Sequence, residues 1–141
     1  EVKVLSAGHG PILWCQRATN NLENFEAQGI PLGMIAGVPY EDSRVKSLQA
    51  GDMLVLVTDG FYEWQNPQKE EFGLERLKQT ILGARDCPAE EVISRLYKAV
   101  KDFSHGTEQA DDLTAVVLKR KNTVREQRDQ AVQNELVAVS G

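Results

Sequence analysis

The sequence predicts an α+β layered domain, and three observations carry that reading. Short apolar runs bounded by Gly, Pro and Asp dominate the first 58 residues, as strands do. The pattern then switches to the helical period between residues 73 and 103, and a last apolar run at 112–119 returns to strand. Strands, two helices and a strand without regular βα alternation argue against a doubly wound sheet. A chain of 141 residues is long enough to bury one core.

Residues 2–6 and 12–16 read as strands. Between them Ala7-Gly8-His9-Gly10-Pro11 forces a tight, irregular connection, because two glycines and a proline leave no regular element. Residues 17–40 are turn-rich, with Asn20-Asn21, Gly29, Gly33, Gly37 and Pro39, and carry little periodicity. Residues 41–48 read as a strand. Gln49-Ala50-Gly51-Asp52 is a turn signal, so 53–58 is expected to fold back on 41–48 as a hairpin.

Over residues 73–85, Leu74, Leu77, Ile81 and Leu82 fall on one helical face. Pro88 suits the first turn of a second helix, whose apolar stripe is Val92, Ile93, Leu96, Val100 and Phe103. Residues 104–109 form a polar loop before the 112–119 strand. Residues 122–141 differ in composition, being rich in Gln, Asn, Arg and Glu with scattered Val. A helix to about residue 134 and a strand at 135–139 are expected there.

Composition excludes several classes. Hydrophobic residues at 41% and charged residues at 26% are ordinary for a globular protein, and no apolar run approaches a membrane span. The net charge of −5 argues against a nucleic-acid surface, and Lys119-Arg120-Lys121 reads as a solvated strand end. Cys15 and Cys87 stand alone, without C-x-x-C or metal-ligand spacing, and are expected to be free thiols in a reducing cytoplasm. Glu1 opens directly into a strand-like stretch, so the chain is expected to be an excerpt of a longer protein.

The chemistry concentrates at two places. Val-Leu-Val-Thr-Asp-Gly (55–60) puts Asp59 just past one apolar run, and Asp-Asp-Leu-Thr-Ala-Val-Val-Leu (111–118) puts Asp111 and Asp112 ahead of another. Carboxylates at the ends of rigid strands supply the oxygen ligands and fixed geometry that a hard divalent cation needs. Each motif alone reads first as turn chemistry or a helix cap; their ordered combination is rarer. His9, a lone histidine between glycines, reads first as a loop residue bonded to backbone and second as a ligand or acid. Ser6 lacks the G-x-S-x-G context of a nucleophile, and neither a Walker loop nor G-x-G-x-x-G is present. Trp14, Phe61, Tyr62 and Trp64 read as core or cleft-lining aromatics, and Glu63 as an exposed charge.

Four ordered segments carry a resemblance: Ser-Ala-Gly-His-Gly-Pro (6–11), Pro-Leu-Gly-Met (31–34), Gly-Asp-Met-Leu-Val-Leu-Val-Thr-Asp-Gly-Phe-Tyr-Glu (51–63) and Ala-Asp-Asp-Leu-Thr-Ala-Val-Val-Leu (110–118). Together they resemble the C-terminal part of the metal-dependent serine/threonine phosphatases of the type 2C superfamily. The branch is that of stage II sporulation protein E and the sigma-regulatory phosphatases. The likeness covers residues 1–121, with 122–141 a tail outside it. It implies a β-sandwich flanked by helices, here without its N-terminal strands and helices, and a two-metal Mn²⁺ or Mg²⁺ site. By motif, Asp59 and Asp111 would be metal ligands; Asp112 would shape the loop, Gly60 would keep the backbone close, and His9 matches a motif without a secure role. A metal-activated water is that family's nucleophile, so no catalytic side chain is expected beyond the ligands.

One departure stands out. The family's bridging aspartate has no counterpart here and is expected upstream of Glu1. The implied activity is hydrolysis of phosphoserine or phosphothreonine on a regulatory partner of the anti-anti-sigma type, with no nucleic-acid or membrane partner. The rival reading is a non-catalytic interaction module of the same fold. Strand edges left open would favour pairing of two copies.

Overall fold

A computed structural model describes residues 1–40 and 44–121. The elements in order are β1 (Val2–Val4), β2 (Ile12–Gln16), β3 (Asn21–Phe25), β4 (Arg44–Lys46), β5 (Met53–Val57), α1 (Gly60–Glu63), α2 (Gly73–Gly83), α3 (Ala89–Ser104) and β6 (Ala115–Lys119). They form three layers: a two-stranded β1–β4 sheet, a four-stranded antiparallel sheet in the order β3-β2-β5-β6, and the helices. The architecture is the sandwich with flanking helices that the resemblance implies.

The alternation of side chains along β2 and β5 builds both interfaces. Leu13, Cys15, Met53, Val55 and Val57 point to the helical side, where they meet Leu77 and Ile81 of α2 and Val92, Leu96 and Val100 of α3, all buried. Ile12 and Leu54 point the other way and pack with Val4 and Phe25 under the β1–β4 sheet. Lys46 closes that side, with Nζ 4.9 Å from the Trp14 ring centroid and 3.0 Å from Glu23 Oε1. All five residues of β5 are apolar because both of its faces are covered, which makes it a central strand.

That position corrects the expected hairpin. Residues 53–57 pair with β2 and β6, whereas β4 pairs with β1 in the other sheet. The turn at 49–52 is present, but it carries the chain from one sheet to the other. Buried Asp52 holds it, accepting from Gln49 N at 2.9 Å and Arg17 N at 3.0 Å. A hairpin would have left one flank of a wholly apolar strand at a sheet edge.

Other boundaries also shift. β3 lies inside the segment read as turns; it has only Leu22 and Phe25 as apolar residues, and its register with β2 supplies what periodicity lacks. The last strand begins at Ala115 and not at 112. Both helices form where expected, but Leu74 and Ile93 of their expected apolar faces are exposed, at the margin of the stripe that the sheet covers; Phe103 of α3 meets Phe72 edge-on with centroids 5.5 Å apart. Cys15 and Cys87 are free thiols. The first part of the expected 41–48 strand and the helix and strand expected at 122–141 lie outside the described residues. Among the described residues no helix is long and apolar enough to cross a membrane.

Candidate metal centre

The exit of β5 and the entry to β6 are locked together by two threonines. Thr58 N donates to Thr114 O at 3.0 Å, Thr114 N donates to Thr58 Oγ1 at 3.0 Å, and Thr58 Oγ1 donates to Asp112 O at 2.8 Å. This ladder continues the β5–β6 pairing past the strand ends and brings the Asp59 and Asp111-Asp112 segments side by side. Gly60 lies against the second segment. A Cβ built there would stand 2.5 Å from Asp112 O and 3.3 Å from Asp111 O, closer than a side chain tolerates.

Asp59 sits two residues past β5 as the N-cap of the one-turn helix α1, its Oδ1 accepting from Gly60 N at 3.1 Å. Buried Phe61 and Trp64 anchor that turn to the core, so the cap cannot drift. Asp111 Oδ1 accepts from Asp112 N at 2.7 Å, and Gln109 Nε2 donates to Asp111 O at 2.9 Å. Both aspartates are exposed. Each therefore has one carboxylate oxygen set by a neighbouring backbone N–H and further lone pairs open to a ligand.

Two clefts open beside α1, one lined by its N-cap Asp59 and by Tyr62, the other by Gly60 and Glu63. One, of about 390 Å³, is lined by Gly8, His9, Gly10, Thr58, Asp59 and Tyr62. The other, of about 580 Å³, takes in Gly60, Glu63, Trp64, Asn66, Thr107 and Asp111. His9 is thus brought to the Asp59 cleft, and Glu63 and Asp111 face the other. Ser6 is buried, and its hydroxyl donates to His9 O within the 6–10 turn, so it is committed to structure.

Tyr62 Oη donates to Gly10 O at 3.4 Å, joining α1 to that turn. Burial pushes its phenol above the ordinary value, and the charges of Asp59 and then Glu63 push it further. Asp59→Asn should therefore lower the Tyr62 pKa partway, not fully, because burial is the larger cause. An NMR titration of the assigned Tyr62 ring resonances reads this, because Tyr40 and Tyr97 would also contribute to an absorbance change; an unmoved pKa would contradict the proximity of the two side chains.

The donors suit a hard cation in kind. Carboxylate oxygens fit Mg²⁺ or Mn²⁺, whereas Zn²⁺ would favour His or Cys. They fall short in number: among the described residues no group of three or more His, Cys, Asp or Glu side chains could hold a metal. Sequence reasoning did not assign the Thr58–Thr114 lock, although both threonines stand inside the quoted motifs.

A family model for stage II sporulation protein E (SpoIIE) matches residues 1–121. Protein IcfG of Synechocystis sp. is 27% identical over 116 residues, covering 82% of this chain and 18% of that protein. Among solved structures, the PP2C phosphatase domain of the cell fate determinant SpoIIE from Bacillus subtilis, solved with a fragment of its regulatory domain, is 26% identical. It superposes with a TM-score of 0.62 over 82% of this chain and 32% of that one. The SiaA-PP2C domain of Pseudomonas aeruginosa superposes with a TM-score of 0.65 at 17% identity, covering 80% of this chain and 44% of that one. The chain therefore spans less than half the length of each of these relatives. With a sandwich, a helical layer and a family match over residues 1–121, it belongs to the stage II sporulation protein E family and has the PP2C phosphatase fold.

Proposed function

We propose that this chain contributes part of the catalytic site of a metal-dependent protein serine/threonine phosphatase. The observation that carries the reading is the Thr58–Thr114 lock, which sets Asp59 and Asp111 on adjoining segments with Gly60 between them. Asp59 and Asp111 would hold Mn²⁺ or Mg²⁺. Asp112 fixes the loop through its carbonyl, and His9 lines the cleft beside Asp59. When bound, such cations lower the pKa of water and offset the charge on phosphate. The remaining ligand set would come from a bridging aspartate outside these residues, with residues 1–121 as the C-terminal portion of the catalytic domain and 122–141 as a tail.

The substrate in this reading is a phosphorylated regulatory protein of the anti-anti-sigma type, and the setting is cytoplasmic, in keeping with two free thiols. The lack of a third ligand among the described residues supports the second reading, a non-catalytic interaction module. Turnover of a phosphoserine protein, with and without Mn²⁺, separates the two. The complete protein should be active only with metal, and this chain alone should bind Mn²⁺ weakly or not at all by calorimetry. A complete protein that stays inert with Mn²⁺ would leave the interaction module standing.

A further inference from the structure

Three of the residues lining the Asp59 cleft carry side-chain hydrogen-bond donors: Thr58, Tyr62 and His9. Two of these donors are spent within the protein. Thr58 Oγ1 donates to Asp112 O at 2.8 Å, and Tyr62 Oη donates to Gly10 O at 3.4 Å. His9 is exposed, and its backbone carbonyl accepts from the Ser6 hydroxyl. Among the described residues no hydrogen bond or ion pair engages its imidazole.

The backbone on both sides of His9 is pinned. Gln28 N donates to Ser6 O at 2.8 Å. Gly8, at φ +80°, lies so close to Pro31 that a Cβ there would stand 2.6 Å from the proline ring. Tyr62 holds Gly10 from across the cleft. Residues 8–10 with Ala27 thus form one side of the cleft, and residues 58, 59 and 62 the other. A side chain presented from a clamped turn has less freedom to lose when it meets a ligand.

We propose that His9 donates a hydrogen bond from its imidazole to a phosphoryl oxygen of the phosphoester received at Asp59. The inference rests on the phosphatase reading of this cleft and adds a direct substrate contact to it. Phosphoryl oxygens accept hydrogen bonds. An imidazole carries at least one N–H whether neutral or charged, so the contact does not depend on protonating the ring. The Asp59 carboxylate repels a phosphate and cannot itself hold one. His9 is the residue of the cleft whose side-chain donor is still available to do so. Hydrogen bonds to an ionised acceptor are short and about twice as strong as neutral ones. His9 would thereby orient the phosphoester from the side of the cleft opposite Asp59.

The test uses the complete protein with a phosphoserine peptide and Mn²⁺. His9→Phe keeps a flat ring and removes the donor. It should lower kcat/KM by roughly tenfold or more, as for a lost hydrogen bond to a charged group. His9→Gln restores an N–H and should recover part of that loss. Both variants should melt with the unsubstituted protein, since His9 is exposed. A second readout needs no turnover. In Mg²⁺, titration with inorganic phosphate should shift the assigned ring nitrogen resonances of His9 and leave those of His105, which lines neither cleft, in place. Unchanged kcat/KM in His9→Phe would overturn the proposal. So would equal losses in His9→Phe and His9→Gln, or His9 resonances that stay in place at saturating phosphate. A complete protein inert toward the peptide would refute the phosphatase reading, and the phosphate titration would then decide the His9 contact by itself.

Discussion

Asp59→Asn or Asp111→Asn is expected to abolish metal-dependent phosphatase turnover in the complete protein while leaving the fold intact. Asparagine keeps the shape of aspartate and one carbonyl oxygen. The substituted side chain at position 59 could still cap Gly60 N, and the one at position 111 could still accept from Asp112 N. Both positions are exposed, and surface changes that keep such bonds stay within about 0.5 kcal/mol. What is lost is the negative charge toward a divalent cation. A cation worth several kcal/mol to the transition state corresponds to a rate loss on the order of a thousandfold or more. Kinetics with a phosphoserine protein, paired with thermal melting, checks both halves. Turnover that survives in either variant would remove that residue from the ligand set.

The second large effect is expected at Gly60, which has no charge to contribute. Gly60→Ala places a methyl group 2.5 Å from Asp112 O, and the obstacle is backbone, which cannot rotate aside. Phe61 and Trp64 hold α1 to the core, so the 111–112 segment must give way. Overpacking of this kind costs about 1–3 kcal/mol of stability. Displacing one ligand-bearing segment relative to the other by a fraction of an ångström to an ångström is expected to lower turnover by about a hundredfold. Gly60→Ala should therefore melt earlier than wild type, unlike the two Asn variants. A Gly60→Ala protein with normal melting and normal turnover would mean that the two segments do not meet as described.

Much of the site was legible in the sequence because its chemistry is local. Thr-Asp-Gly after an apolar run and Asp-Asp-x-Thr before another name the aspartates, and most of the apolar stripes of α2 and α3 is buried, Leu74 and Ile93 excepted. The threonines were legible as letters but not as a lock, since Thr58 and Thr114 are far apart in sequence and meet only through β5–β6 pairing. β3 was missed for a related reason. Its conformation comes from hydrogen bonds to β2 and not from its own weak pattern. The misplaced hairpin had a good turn signal behind it; a turn fixes a change of direction and not the strand that receives the chain.

By itself the sequence determined the segments of β1, β2, β5, β6, α2 and α3, the family, and which aspartates are proposed as ligands. Only the tertiary structure decided that β5 lies between β2 and β6, that β1 and β4 form a separate layer, and that Asp59 and Asp111 stand on adjoining segments with His9 at the Asp59 cleft. The physical reason is that side-chain periodicity states how much of an element is buried, but not against what. Strand partners are chosen by whichever arrangement covers both faces of an apolar strand and satisfies its backbone hydrogen bonds together.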